Sequence, residues 1–197
     1  HYYAKKEIET YINDYDFLLR PANLHSSIVG HGTDVFETNN LKIRVTNLLG
    51  RVFIAENPNN PFDVLNEICK NDKSDVHIVD FHAEASGEKQ ALAWAFDGKV
   101  SAVLGTHTHV QTNDLRLLKN GTLYMSDIGM CGPYNGILGS TRENVIKKTW
   151  LGVPTIFGVE DNDDEYIFSA CSITIDEDTK KIVDFKNIYE VIKESEI

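Results

Sequence analysis

The chain has 197 residues, of which 42% are hydrophobic and 25% are charged, and its formal net charge is −11. This length suits one domain with a sizeable core, which we place over residues 1–197. The acidic balance argues against a protein that coats long nucleic acid, and no apolar run is long enough for a membrane helix.

The first half of the chain is predicted to begin with a helix and to alternate between strands, loops and a second helix. The predicted elements are a helix over 3–13, a strand and turn over 17–23, a loop over 24–33, a strand over 41–49 and a helix over 61–71. Pro61 suits the first position of the last helix, because its missing N–H would have no partner there.

The middle of the chain carries a βαβ pattern. Residues 76–81 predict a strand, residues 87–97 a helix and residues 100–104 a second strand. A strand, a helix and a strand within about 30 residues are typical of two parallel strands joined by a crossover. We therefore expect an α/β fold with a parallel pair at its centre.

The last third of the chain is predicted to be mostly strands. The predicted elements are a strand over 122–126, a glycine-rich loop over 129–139, a helix over 141–149 opened by a capping box at Ser140–Glu143, and strands over 154–159, 165–175 and 181–191. The loop could cradle a phosphate, act as a lid or be a surface turn. We expect the last two strands to form an antiparallel hairpin.

Cysteine usage indicates a reducing compartment. Cys69, Cys131 and Cys171 are odd in number, far apart and without a CxxC pattern. The chain also starts without the apolar segment of a signal peptide. We therefore predict free thiols in a cytoplasmic protein.

Three histidines follow the two strands of the βαβ unit. His82 follows the first strand, and His107 and His109 follow the second. The carboxyl ends of parallel strands lie at one edge of a sheet, where open α/β sheets bind ligands. On an extended segment His107 and His109 would point to the same face, and neutral imidazoles are good metal ligands. The sequence therefore predicts a histidine-based metal site at this edge.

Two acidic residues beside His82 are candidates to support this site. Asp80 lies two residues before His82 and could orient an imidazole, and Glu84 lies two residues after it and could do the same or cap the following helix. Each could equally be a solvated acid. His77, His25 and His31 have no partner in the pattern and are predicted to be structural or solvated.

The chain resembles the calcineurin-like metallophosphoesterases, and within them the bacterial YmdB-type 2′,3′-cyclic nucleotide phosphodiesterases. The residues that carry the resemblance are Asp80–Ala85, Glu88-Lys89, Asp97-Gly98, Gly105–Thr112, Asp127–Met130, Gly132–Gly139, Arg142-Glu143 and Arg20–Asn23. The resemblance implies a four-layer α/β/β/α sandwich with mixed sheets and antiparallel C-terminal strands.

The resemblance also implies an activity and a metal content. It implies hydrolysis of cyclic nucleotides or other phosphodiesters by a hydroxide that two metal ions activate. The ions are expected to be iron or manganese, with zinc or magnesium as alternatives. The counterparts of His82 and His107 bind one metal, and that of His109 binds the other. A small phosphate ester as substrate and a homo-oligomer are further expectations.

His1 falls where the family has the histidine of its Gly-Asn-His motif, which acts near the scissile phosphate as a general acid. It could instead owe its position to truncation, or bind copper with its own amine. The family's first metal-binding Asp, its bridging acid and the Asn of that motif would lie upstream of His1. We therefore expect that the N-terminal strands of the domain are absent from this chain.

Two alternatives remain open from the sequence. One is another metallohydrolase, such as a capsule-synthesis-type relative with a similar histidine pattern. The other is a non-catalytic regulatory module that keeps the fold without the chemistry, which the absent upstream carboxylates favour.

Overall fold

The computed structural model describes residues 7–12, 14, 15, 17–38, 40–161 and 164–196. Its helices are α1 (Glu7–Tyr11), α2 (Pro61–Asn71), α3 (Ser86–Ala95) and α4 (Arg142–Leu151). Its strands are β1 (Thr33–Thr38), β2 (Leu41–Leu49), β3 (Val76–His82), β4 (Ala102–Thr106), β5 (Arg116–Leu117), β6 (Leu123–Met125), β7 (Cys131–Pro133), β8 (Glu165–Ile175) and β9 (Ile182–Lys193). A short 3₁₀ helix covers Glu194–Glu196.

The strands form two sheets. The larger sheet has six strands in the order β1-β2-β3-β4-β6-β5, and the smaller has three in the order β7-β8-β9. In the larger sheet β2, β3, β4 and β6 are parallel, whereas β1 and β5 pair antiparallel at the two edges. The smaller sheet is antiparallel throughout. The predicted parallel βαβ unit and the predicted terminal hairpin are both confirmed.

One apolar core holds the larger sheet against its helices. Leu65 of α2 and Leu92 of α3 are fully buried and belong to the same cluster as Val79, Phe81 and Val103 of the central strands. Burial of each such side chain contributes about 1.5–3 kcal/mol of transfer free energy. The cluster therefore fixes β3 and β4 beside each other, which is the pair that carries His82 and His107.

Helix α2 shows why some boundaries could be read from the sequence. The Asn60 side chain accepts a hydrogen bond from Phe62 N, and Pro61 takes the first helical position. Helix α4 behaves differently, because its N-cap Thr141 makes no capping hydrogen bond through its side chain. The capping box predicted at Ser140–Glu143 is therefore wrong, although the helix itself is present.

Several other predicted elements differ from the structure. Residues 17–23 form no strand and contribute only an isolated bridge from Leu19 to His31, and residues 154–159 contribute only a bridge from Val159 to Ser140. Strand β1 lies partly within the predicted loop and beyond it, and β7 lies within the glycine-rich loop. Of the helix predicted over 3–13, residues 3–6 and 13 lie outside the described residues.

All three cysteines are free thiols, as predicted. Among the described residues, the structure contains no helix with the length and apolar character needed to cross a membrane.

Candidate functional site

The site lies at the carboxyl edge of the larger sheet, where β3 and β4 end side by side. Their parallel register pairs His82 with Thr106, so that His107 follows immediately beyond this pair. His107 Nδ1 lies 3.0 Å from His82 Nε2, and the ring centroids are 4.7 Å apart in an edge-on arrangement. Chain topology thus brings these two imidazoles together, as the sequence predicted.

Gly105 allows β4 to reach this position. A Cβ built on Gly105 would lie 1.8 Å from the backbone oxygen of Ser126, which follows β6. No side chain fits at that distance, so the close approach of β4 to the Ser126 backbone requires glycine.

The outer nitrogen of each imidazole has its own partner. His82 Nδ1 lies 3.1 Å from Thr106 Oγ1, and the Thr106 hydroxyl donates to Asp80 Oδ1 at 2.8 Å. His107 Nε2 lies 3.0 Å from Glu84 Oε2. Both predicted supporting acids therefore act on the site, Asp80 through Thr106 and Glu84 directly. Glu84 does not cap α3, whose N-cap is Ala85.

These partners favour particular tautomers of the two rings. Because the Thr106 hydroxyl donates to Asp80, its oxygen accepts from His82, which assigns a proton to Nδ1. The Glu84 carboxylate favours a proton on His107 Nε2 in the same way. In neutral rings with these tautomers, each facing nitrogen would carry a lone pair that a metal ion could accept.

The two facing nitrogens also have a separation that suits one metal ion. Two nitrogens bound at about 2.1 Å and at right angles are about 3.0 Å apart. The observed separation of 3.0 Å matches this value. Metal-binding histidines typically donate their other N–H to a carboxylate or another fixed acceptor, as both rings do here. His82 and His107 therefore fit one half of a metal site.

The electrostatics of the site favour neutral imidazole at His82. Burial, and then the neighbouring His107, lower the pKa of His82 to about 4. Burial raises the pKa of Asp80, while hydrogen bonds from Thr106 and from Asn47 Nδ2 oppose that rise. A neutral imidazole is the form that binds a metal ion.

His109 is placed differently from the other two histidines. Its side chain is exposed, and its Nδ1 lies 3.2 Å from the carbonyl oxygen of Leu138. The segment is not extended, because His107 has a φ of 102° and His109 a φ of 66°. The prediction that both rings share one face of an extended segment is therefore wrong. Binding of a metal by His109 stays a prediction.

The described residues by themselves would not complete a metal centre. Among them, no group of three or more His, Cys, Asp or Glu side chains is arranged to hold a metal ion. Two metal ions need a bridging anion and further oxygen ligands, which His82 and His107 cannot provide. His1, the predicted general acid, lies outside the described residues.

The other three histidines are structural or solvated, as the sequence predicted. His25 Nδ1 contacts Ser27 Oγ at 2.8 Å, and His31 forms an exposed contact of 3.4 Å with Asp34. His77 is buried and lies 2.8 Å from Thr46 Oγ1 and 2.9 Å from Asp72 Oδ2.

Sequence reasoning missed two buried charged residues beneath the site. Lys89 Nζ on α3 lies 3.1 Å from Asp127 Oδ2, and their side chains are 2% and 1% exposed. Asp127 follows the predicted strand 122–126 as His82 follows strand 76–81. The rule that located His82 at a strand end would have singled out Asp127 too.

A model of the YmdB-like protein family matches residues 1–188. The chain belongs to this family. It is 44% identical over 192 residues to the Bacillus subtilis 2′,3′-cyclic-nucleotide 2′-phosphodiesterase, a match that covers 95% of this chain and 71% of that protein. The resemblance to the YmdB-type phosphodiesterases is thereby confirmed.

Solved structures of similar proteins share the fold. A Mycoplasma pneumoniae phosphatase has a TM-score of 0.87 at 38% identity, covering 98% of this chain and 69% of that one. A hypothetical protein from Thermus thermophilus has a TM-score of 0.86 at 31% identity, covering 95% and 72%. The neighbours and the two sheets confirm the predicted calcineurin-like α/β class, and the relatives' names bear out the predicted phosphoesterase.

Proposed function

We propose that this protein is a metal-dependent phosphodiesterase that hydrolyses 2′,3′-cyclic nucleotides or related phosphodiesters. The observation that carries the metal dependence is the pair of facing nitrogens on His82 and His107, each ring being held from behind by Thr106 or Glu84. The substrate class is supported by the Bacillus subtilis relative, which is a 2′,3′-cyclic-nucleotide 2′-phosphodiesterase.

The candidate site residues have distinct parts in the proposed chemistry. His82 and His107 would hold one metal ion, and His109 would contribute to a second. Thr106, supported by Asp80, and Glu84 would keep the two rings in orientation. A bound metal supplies Lewis-acid activation of water and neutralises charge on the phosphoryl oxygens. His1 as the general acid is part of the proposal, as are iron or manganese as the metals.

The protein is further proposed to be cytoplasmic and to form a homo-oligomer. Free thiols and the absence of a spanning helix among the described residues are compatible with the predicted cytoplasmic location. Large exposed apolar side chains on and after α4, including Trp150 at 82% and Ile156 at 90% exposure, support the predicted homo-oligomer.

One experiment tests both metal and substrate. The purified protein is analysed for metal content and assayed against a 2′,3′-cyclic nucleotide, bis-p-nitrophenyl phosphate and p-nitrophenyl phosphate, with and without a chelator. We expect bound iron or manganese and chelator-sensitive cleavage of the cyclic nucleotide in preference to the monoester. Full activity in the metal-free protein would refute the metal dependence.

Two other functions stay open, and the same assays separate them. A capsule-synthesis-type metallohydrolase would bind metal and leave cyclic nucleotides intact. A non-catalytic module would bind no metal and cleave none of the three compounds. The lack of a three-ligand group among the described residues is the observation that keeps the module in consideration.

A further inference from the structure

The turn that carries His107 and His109 has an unusual backbone. His107 has a φ of 102° and His109 a φ of 66°, so two residues out of three in sequence lie in the left-handed region without being glycine. Such conformations are uncommon, cost free energy locally and persist only where surrounding structure holds them. Something outside the turn must therefore stabilise it.

The Asp127 carboxylate supplies that stabilisation. Its Oδ2 accepts hydrogen bonds from Thr108 N at 2.9 Å and from Thr108 Oγ1 at 2.7 Å. Its Oδ1 accepts from Gly129 N at 2.9 Å. Thr108 lies between His107 and His109, so the Asp127 carboxylate binds the turn at its central residue.

Lys89 makes this buried carboxylate tolerable. Its ammonium donates to the same Oδ2 at 3.1 Å, and no charge of this pair reaches solvent. A Cβ built on Gly105 would lie 2.9 Å from Lys89 Cδ, so the lysine stem passes close to β4 in space that glycine leaves open. Helix α3 thereby contacts the turn through one ion pair.

A buried ion pair is weak evidence for stability, since apolar residues of similar volume often serve as well. A buried ion pair is better explained as a means of fixing one specific geometry. Here four hydrogen bonds converge on the Asp127 carboxylate. Two of them come from Thr108, the residue that follows His107.

We propose that Lys89, Asp127 and Thr108 form a positioning unit that holds the left-handed turn and thereby aims His107 at the metal position. The part of this inference that concerns metal rests on the proposed function, whereas the part that concerns the turn does not. Changes in such supporting hydrogen bonds typically weaken metal binding by about 10–100-fold.

The experiment compares matched variants of the whole protein. Thr108→Val removes the hydroxyl and keeps the shape, and Thr108→Ser restores the hydroxyl. Asp127→Asn removes the charge, and Lys89→Met combined with it tests whether the two act as one unit. Asp72→Asn is the control, because Asp72 forms a comparable ion pair with Arg44 at 2.8 Å, before the amino end of β3.

Three quantities are measured for each variant: the dissociation constant for Mn²⁺, the thermal midpoint without metal, and the intraresidue amide-to-α-proton NOE of residues 107 and 109 without metal. A positive φ brings these two protons close, so the NOE reports the turn directly.

We expect Asp127→Asn to weaken Mn²⁺ binding by about 10–100-fold and Thr108→Val by about 10-fold, with weaker NOEs in both. Thr108→Ser should behave as the unmodified protein, and the double variant should bind no more weakly than Asp127→Asn alone. Asp72→Asn should lower the thermal midpoint and leave Mn²⁺ binding and the NOEs unchanged.

The outcomes separate this inference from the proposed function. Unchanged NOEs and unchanged Mn²⁺ binding in Thr108→Val and Asp127→Asn would overturn the positioning unit. Equal loss of Mn²⁺ binding in Asp72→Asn would do the same, because the effect would then be one of general stability. If the unmodified protein binds no metal, the proposed function fails, and the NOEs alone decide the inference. If Asp127→Asn does not fold, Thr108→Val decides it.

Discussion

Strand β3 carries a histidine near each of its two ends, and the two histidines contact different groups. His77 lies near the amino end and His82 at the carboxyl end. Burial lowers the pKa of both to about 4. The nitrogens of His77 contact Thr46 and Asp72, whereas the inner nitrogen of His82 faces another imidazole. The pKa does not distinguish the two histidines, so the facing group is what marks a site.

The largest effect is expected when one of the two facing histidines, His82 or His107, is removed. His82→Ala or His107→Ala removes one of two facing nitrogens, so we expect loss of bound metal and a fall in phosphodiesterase activity of more than about 100-fold. Elemental analysis and a cyclic nucleotide assay measure both. Normal metal content in either variant would refute the site.

The matched change at the other end of β3 should affect stability alone. His77→Ala removes a buried ring and leaves Thr46 and Asp72 without that contact, so we expect a loss of about 2–3 kcal/mol in the free energy of unfolding. Urea denaturation measures the loss, and metal content should stay normal. A metal-depleted but stable variant would contradict the contrast between the two ends.

The pH dependence of stability sharpens the same comparison. The pKa of His77 is about 4 in the folded chain against an ordinary 6.5, so the unfolded chain takes up a proton first as the pH falls. The contribution of His77 is therefore fully present above about pH 6.5 and is lost between about pH 6.5 and pH 4. From pH 7 to pH 5 this amounts to about 2 kcal/mol.

Urea unfolding of the metal-free protein at these two pH values measures that loss. The His77→Gln variant is the control, because it lacks the titrating ring and should lose less stability over the interval. An identical pH dependence in both proteins would show that His77 does not contribute.

The smallest expected effect concerns the support of His107. Glu84 is 45% exposed, and Glu84→Gln keeps an oxygen that can accept from His107 Nε2. We expect Mn²⁺ binding to weaken by about tenfold or less, with unchanged stability. Titration with Mn²⁺ tests this, and Glu84→Ala should weaken binding further. Equal Mn²⁺ binding by the unmodified protein and both Glu84 variants would show that Glu84 does not support His107.

Elements with strong local signals were predicted well. Helix α2 and strand β2 match their predicted ranges, because Pro61 and the Asn60 cap determine the helix start and β2 alternates between apolar and polar positions. Strands β1 and β7 were missed, since each lies at a sheet edge and depends on pairing with a partner strand. Residues 154–159 have the composition of a strand, but within the described part of the chain they form only the bridge from Val159 to Ser140.

The sequence by itself determined which residues reach the carboxyl edge. The order of strand, helix and strand is enough to place His82 and His107 there, because parallel strands joined by a crossover end at the same side. Only the tertiary structure decided how the rings are aimed. The left-handed turn at His107 and His109 is unfavourable for those residues alone, and hydrogen bonds to Asp127, after a different strand, offset its cost. Local pattern cannot encode that balance, because the stabilising groups are distant in sequence.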